Sequence, residues 1–240
     1  GQVSYGHTDS RTHWKIVPDG SLHGNNTGEL VSPILSGLAG LQEVQKVVNA
    51  LARAGATVNR SCGLHVHCNA SDLSVNGRLA VARRYAKFES IIDTFMPASR
   101  RGDDNHYCMS MVGYANNADA DNFPRQLKVN LTAYSRHRTV EFRHHAGTVN
   151  SDKICNWIRF CVNFVERSRE RTMEFVRPVG RGVSAGTVRG AMVPVGRRAL
   201  QNYRTIVAAL GRGSKTLAEL QDCTGLGRGS IVVMISHLRT

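Results

Sequence analysis

In two short strings of this chain, residues that bind metals and anions alternate with apolar ones. Gly63-Leu64-His65-Val66-His67-Cys68 carries a His pair, and Thr139-Val140-Glu141-Phe142-Arg143 carries a Glu/Arg pair, both at every-second-residue spacing. A β-strand repeats with a period of two, so each pair falls on one side of a strand. Leu64, Val66 and Cys68 in the first string and Val140 and Phe142 in the second take the opposite side. The pattern predicts two strands with one side in a core and the other lining a polar cavity suited to a metal ion or a phosphate. A plainer reading also exists: a His-x-His strand can lie on a surface, and Glu-x-Arg can be a same-side ion pair.

With 240 residues the chain can bury a substantial core and hold one large domain, or one medium and one small. We read it as the second. No run approaches the roughly 18 apolar residues of a membrane span, and no signal peptide is visible. The six cysteines, Cys62, Cys68, Cys108, Cys155, Cys161 and Cys223, form no C-x-x-C pair. Free thiols packed as small hydrophobes in a reducing, cytoplasmic setting are expected. The net charge is +13, and residues 167–240 hold 13 of the 31 basic residues but 4 of the 18 acidic ones. A tail of that kind attracts polyanions by counterion release, although basicity also serves solubility.

Along the chain, Trp14–Val17 and Glu29–Pro33 read as extended segments around an Asp19-Gly20 turn. Helical spacing begins at Leu41 (Leu41, Val44, Val48, Leu51) and ends near residue 54, before Gly55. A second helix is expected over 78–95, and a third from Ser151-Asp152 to about Phe175. Residues 98–126, rich in Asn, Asp, Gly and Arg, read as a long loop of the kind that carries binding elements. Lys128–Leu131 and Thr139–His145 read as strands. Residues 177–197 look like a Gly/Arg-rich linker. Beyond it, Leu200, Tyr203, Val207 and Leu210, then Leu217 and Leu220, then Ile231, Met234, Ile235 and Leu238, suggest three short helices. The tight turn at Gly225 gives 198–240 the outline of a helix-turn-helix module, with the helix near 228–239 presented to nucleic acid. A helical module for protein contact fits the same pattern.

For chemistry, His65 and His67 offer imidazoles to a divalent cation or to phosphate oxygens, and Glu141 offers the hard oxygen that Mg²⁺ prefers. Arg143 carries a planar fork suited to carboxylate or phosphate. Glu29, beside Pro33 in Glu-Leu-Val-Ser-Pro, or Asp19 could complete a metal shell. The chain resembles the amidoligases of the glutamine synthetase and glutamate–cysteine ligase superfamily. The resemblance is carried by His13–Val17, Asp19–Leu22, Glu29–Pro33, Asn59–His67, Lys128–Leu131, Thr139–Arg143 and Gly147-Thr148, in the family's order over about residues 5–170.

The resemblance implies an α+β fold: an antiparallel sheet backed by helices, as in glutamine synthetase, here over residues 1–176 and followed by the small all-helical module. It implies ATP and Mg²⁺ or Mn²⁺ as cofactors, and a reaction in which a carboxylate is phosphorylated and the acyl phosphate is taken by an amine, on peptide or protein substrates. By position, Glu29, His65 and Glu141 correspond to metal ligands. His67, Arg143 and Asn130 correspond to contacts of the nucleotide, and Arg143, His67, Lys128 and Arg138 to catalytic groups. One departure stands out. The family's opening Gly-x-Glu-x-Glu strand has no counterpart here, since the first acidic residue is Asp9. Weak metal binding, through a shortened or a catalytically lapsed form, is therefore expected. The rival reading is a basic nucleic-acid-binding or structural protein of phage type on an inactive ligase scaffold. A His-x-His oxygenase of cupin type leaves Glu141 and Arg143 without a role.

Overall fold

Buried apolar residues of strands and long helices form one core against a single sheet. The computed structural model describes residues 13–24, 27–117, 119–174 and 230–239. Its strands are β1 (Lys15–Val17), β2 (Thr27–Ser36), β3 (Gly63–Asn69), β4 (Val129–Asn130), β5 (Thr139–Ala146) and β6 (Ser230–Arg239). They lie in the order β1-β2-β6-β3-β5-β4, and every neighbouring pair is antiparallel. Helices α1 (Gly37–Arg53), α2 (Val75–Asp93) and α4 (Ser151–Glu174) cover one side; α3 (Ala133–His137) is a single short turn before β5. The expected antiparallel sheet with helices is thus present, and the three long helices lie where their apolar spacing put them.

Helix boundaries follow from capping. The Ser74 hydroxyl accepts from Gly77 N–H at 3.1 Å and starts α2. The Asn150 side chain accepts from Lys153 N–H at 3.0 Å and starts α4, whose first turn holds Asp152, a charge that suits a helix N-terminus. Leu41, Val44 and Val48 of α1, Leu79, Tyr85 and Ile92 of α2, and Ile154, Ile158 and Val165 of α4 are buried against Leu30, Leu64, Val66, Val140 and Phe142 of the sheet. Tyr85 is the hub, with ring centroids 5.7 Å from Phe142 and 5.4 Å from Phe164.

Residues 230–239 correct the reading of the tail. Instead of a recognition helix they form β6, which fills the gap between β2 and β3 and bonds to both. The run Ile231-Val232-Val233-Met234-Ile235 is apolar throughout and mostly β-branched. A run of this kind matches a helical stripe and a central strand equally well, and the open edges of β2 and β3 decide for the strand. The helices expected over 198–220 and the linker at 177–197 lie outside the described residues.

A bulge in β5 decides which of its side chains reach the polar side. Leu64 pairs with His145, but Val66 pairs with Phe142, so one residue of β3 faces two of β5. Arg143 keeps to the polar side, while His144 and His145 both turn to the helices. His144 Nδ1 lies 2.8 Å from Tyr85 Oη, and the His145 ring sits against Trp157 with centroids 5.3 Å apart. Just beyond, Gly147 N–H donates to Cys62 O at 2.7 Å, and a Cβ on Gly147 would stand 2.4 Å from that of Cys62. Gly147→Ala is therefore expected to destabilise the fold by roughly 1–3 kcal/mol, the usual cost of overpacking, as read by urea unfolding. An unchanged midpoint would mean that the 146–148 turn yields freely.

The 98–126 loop, with short turns at Ala98–Arg100 and Val112–Tyr114, is anchored by buried charge. Lys128 Nζ donates to Glu89 Oε1 (2.7 Å), Asp93 Oδ1 (3.1 Å) and Gly102 O (2.8 Å). Glu89 Oε2 accepts from Met111 N–H at 2.7 Å, and Asp93 Oδ2 from Gly102 N–H at 3.0 Å. Both ends of the 102–111 stretch are held to α2 by these bonds.

Candidate functional site

Glu141 is the centre of the polar side. In register it stands opposite His67 on β3 and Asn130 on β4, so three strands present three polar side chains in one row. Asn130 Nδ2 donates to Glu141 Oε2 at 2.6 Å, and Arg143 Nη1 donates to Glu141 Oε1 at 2.6 Å. His65 Nδ1 lies 3.4 Å and His67 Nε2 3.7 Å from the same Oε1. The arrangement is braced from outside: Asn130 Oδ1 accepts from Thr132 N–H (2.9 Å) and Oγ1 (2.7 Å), and His67 Nδ1 contacts Thr139 Oγ1 at 2.9 Å. Arg143 Nε donates to Tyr107 O at 3.2 Å, which brings the 98–126 loop over the cluster.

Electrostatics follow from the burial. Desolvation pushes the Glu141 carboxyl up, but Arg143, then His67, His65 and Asn130, outweigh it and hold the group ionised well below the ordinary carboxylate range. Burial, reinforced by Arg143, pulls His65 well below its usual value, so its imidazole is neutral at pH 7. Burial and the nearby Lys128 bring His144 down to about 3, and burial brings His145 down to about 4.

These shifts set a pH dependence. A buried neutral His takes no proton in the folded chain but does in the unfolded one, so stability is lost as pH falls below 6.5. Glu141, whose folded value is depressed, adds stability that is lost as pH falls below its ordinary value of 4.5. Both effects have the same sign. The melting temperature followed by circular dichroism should fall continuously from pH 7 to pH 4, and a maximum near pH 5 would contradict this.

Five of the residues singled out from sequence, His65, His67, Asn130, Glu141 and Arg143, converge. Glu29 is buried on β2. Its neighbour Leu30 stands in one row with Ile235 and Leu64, and both leucines face the core, so Glu29 and His65 share the other side of the sheet with β6 between them. Asp19 closes its own turn, its Oδ1 accepting from Ser21 N–H and Oγ, both at 2.8 Å. Lys128 does not reach the cluster, because all three of its ammonium hydrogens are spent on α2 and the loop. Arg138 is exposed and takes a left-handed backbone (φ 57°) that ends α3, with its guanidinium over the Tyr134 ring. Arg100, which sequence reasoning passed over, stands next to His65 across Gly63. No periodicity marks a residue in a loop, and the Arg100-Arg101 pair after α2 was the sole hint. A cavity of about 340 Å³ lined by Gly102, Asp103, Met109, Ser110, Gly113 and Tyr114 lies along the loop, apart from Glu141.

For a divalent cation the fit is poor as the side chains stand. Arg143 already holds Glu141 Oε1, and among the described residues no group of three or more His, Cys, Asp and Glu side chains could hold a metal ion. A hard cation needs several oxygen ligands, and the cluster supplies one carboxylate.

A family model described as putative amidoligase enzyme matches residues 2–116 and 110–165, which is more than half of the chain and includes the whole Glu141 cluster. The chain belongs to this amidoligase family. No curated protein and no solved structure matches it. For an amidoligase-family chain, the arrangement has a plain chemical reading: a buried guanidinium, aligned by a carboxylate that is itself aligned by an amide, with two imidazoles alongside. Among the described residues no helix is long and apolar enough to cross a membrane.

Proposed function

We propose that this chain is an ATP-dependent ligase that joins a carboxylate to an amine through an acyl phosphate, with peptide or protein substrates. The observation that carries the reading is the Glu141–Arg143–His65–His67–Asn130 cluster in a chain of the amidoligase family. ATP supplies the phosphoryl group when bound, and Mg²⁺ or Mn²⁺ would come with its phosphates rather than be held by the Glu141 cluster.

In the reaction, a carboxylate oxygen takes the γ-phosphoryl group and ADP departs. The amine nitrogen then attacks the acyl carbon, the C–O bond to phosphate breaks with its electron pair leaving on phosphate, and the nitrogen loses a proton. Both steps need anionic oxygens held in line and their charge balanced, which is mainly a task of positioning and preorganised electrostatics. Arg143 presents to those oxygens the N–H groups that Glu141 and Tyr107 do not take. Glu141 and Asn130 fix the fork's direction, and His67, held by Thr139, flanks it. The amidoligase's kinship with glutamine synthetase and glutamate–cysteine ligase belongs to the same proposal.

Hydroxylamine can stand in for the amine and trap an acyl phosphate as a hydroxamate. The intact protein given ATP, Mg²⁺, hydroxylamine and a panel of amino acids and peptides should form hydroxamate with at least one acid. Formation without ATP, or none across the panel, would sink the reading. Nucleic-acid binding by 198–240 is the weaker alternative, because the helix it relied on near 228–239 is β6.

A further inference from the structure

We propose that Arg100 is a second anion-binding residue of this site and that its guanidinium, next to His65, is a seat for a compact oxyanion, a phosphate or carboxylate group. Arg100 is 2% exposed. A guanidinium so deeply buried ordinarily comes with a carboxylate. Arg143 has Glu141, Arg78 has Asp121, and Arg169 has Asp72 and Glu166. Arg100 has no such partner among the described residues. Its Nη2 donates to Cys62 O at 2.5 Å, the Cys108 thiol lies against it, and its buried Nε has no hydrogen-bond partner.

Its position is as telling as its charge. Both terminal nitrogens of Arg100 lie 3.3 Å, and His65 Nε2 lies 3.2 Å, from the point where a Cβ of Gly63 would stand. The glycine that opens Gly-Leu-His-Val-His thus lets a guanidinium lie on β3, beside the ring nitrogen of His65 that is turned away from Glu141. The neutral His65 ring thus stands between Arg100 and Glu141, whose carboxylate Arg143 also holds. Within this group two guanidinium charges meet one carboxylate, that of Glu141. An excess positive charge held out of water is costly unless an anion joins it, and the fork of Arg suits the paired oxygens of phosphate or carboxylate. Lys128 with Glu89 and Asp93 forms a bonded group of its own. A purely structural role, in which Arg100 offsets the extra acid of that group, is the competing account.

The inference rests on the ligase reading for which oxyanion is delivered, but its test does not require turnover. Inorganic phosphate is titrated into the intact protein by calorimetry. Arg100→Gln should weaken phosphate binding about tenfold or more, Arg100→Lys should weaken it by less, and Arg136→Gln, at an exposed arginine of α3, should leave it unchanged. Phosphate affinity within twofold of the parent in a folded Arg100→Gln protein, whatever its melting temperature, would overturn the proposal in favour of the structural role. If Arg100→Gln does not fold, the unsubstituted protein decides: phosphate should shift the Arg100 Nε–H resonance in ¹⁵N spectra, and an unmoved resonance overturns the proposal. Parallel titrations of Arg100→Gln with ATP and with acetate identify the source, since a loss confined to ATP assigns the seat to a phosphoryl group and a loss confined to acetate assigns it to a substrate carboxylate. Phosphate binding that depends on Arg100 in a protein that makes no hydroxamate would refute the ligase reading alone.

Discussion

Lys128→Met should destabilise the fold by about 3–5 kcal/mol, the cost of leaving a buried carboxylate without its counter-charge. Lys128 is fully buried, its partner Glu89 is 2% exposed, and Asp93 shares the same ammonium. Methionine matches the length of the side chain but returns none of the three hydrogen bonds, and the hold on Gly102 goes with them. At about 2–4 °C per kcal/mol for a chain of this size, the melting temperature should drop by roughly 10 °C. Adding Glu89→Gln to Lys128→Met should recover part of the loss, because the pair is coupled. A single-variant loss below about 1 kcal/mol would mean that water reaches Glu89 and that Lys128 does not fasten the loop.

The sequence carried much of this fold, and the exceptions have physical causes. His65, His67, Glu141 and Arg143 were legible because a strand's period of two sorts side chains without help from the rest of the chain. Leu41, Val44 and Val48 were legible for the matching reason in a helix. The Ile231–Ile235 run was not, since a wholly apolar segment has no period to read and its state is set by the edges it meets. Lys128 and Arg138 were assigned as site residues by position in the resemblance, and position alone does not show a side chain's direction: Lys128 bonds to Glu89, Asp93 and Gly102, and Arg138 ends α3 with its guanidinium over the Tyr134 ring. The turning of both His144 and His145 to the helices depends on a bulge, and strict alternation cannot announce one. Arg100 reaches β3 through a contact 37 residues distant in sequence from Gly63, which nothing local could signal.

Glu141→Gln should lower the rate of amide formation by about 10²-fold or more. The substitution keeps the shape and removes the charge that aligns Arg143, and a misalignment of about 1 Å at a reacting group costs on this order. A drop below threefold in a folded variant would remove Glu141 from the chemistry, and the melting temperature measured alongside separates lost alignment from lost fold.

ADP release by the intact protein, measured with ATP and Mg²⁺ in the presence of acid and amine, of acid alone, and of neither, tests the ligase reading most directly. Release should require the acid, rise further with the amine, match the phosphate and amide formed one for one, and collapse in Glu141→Gln. ADP release that is indifferent to the acid, or that survives the Glu141 substitution intact, would contradict carboxylate activation at this cluster.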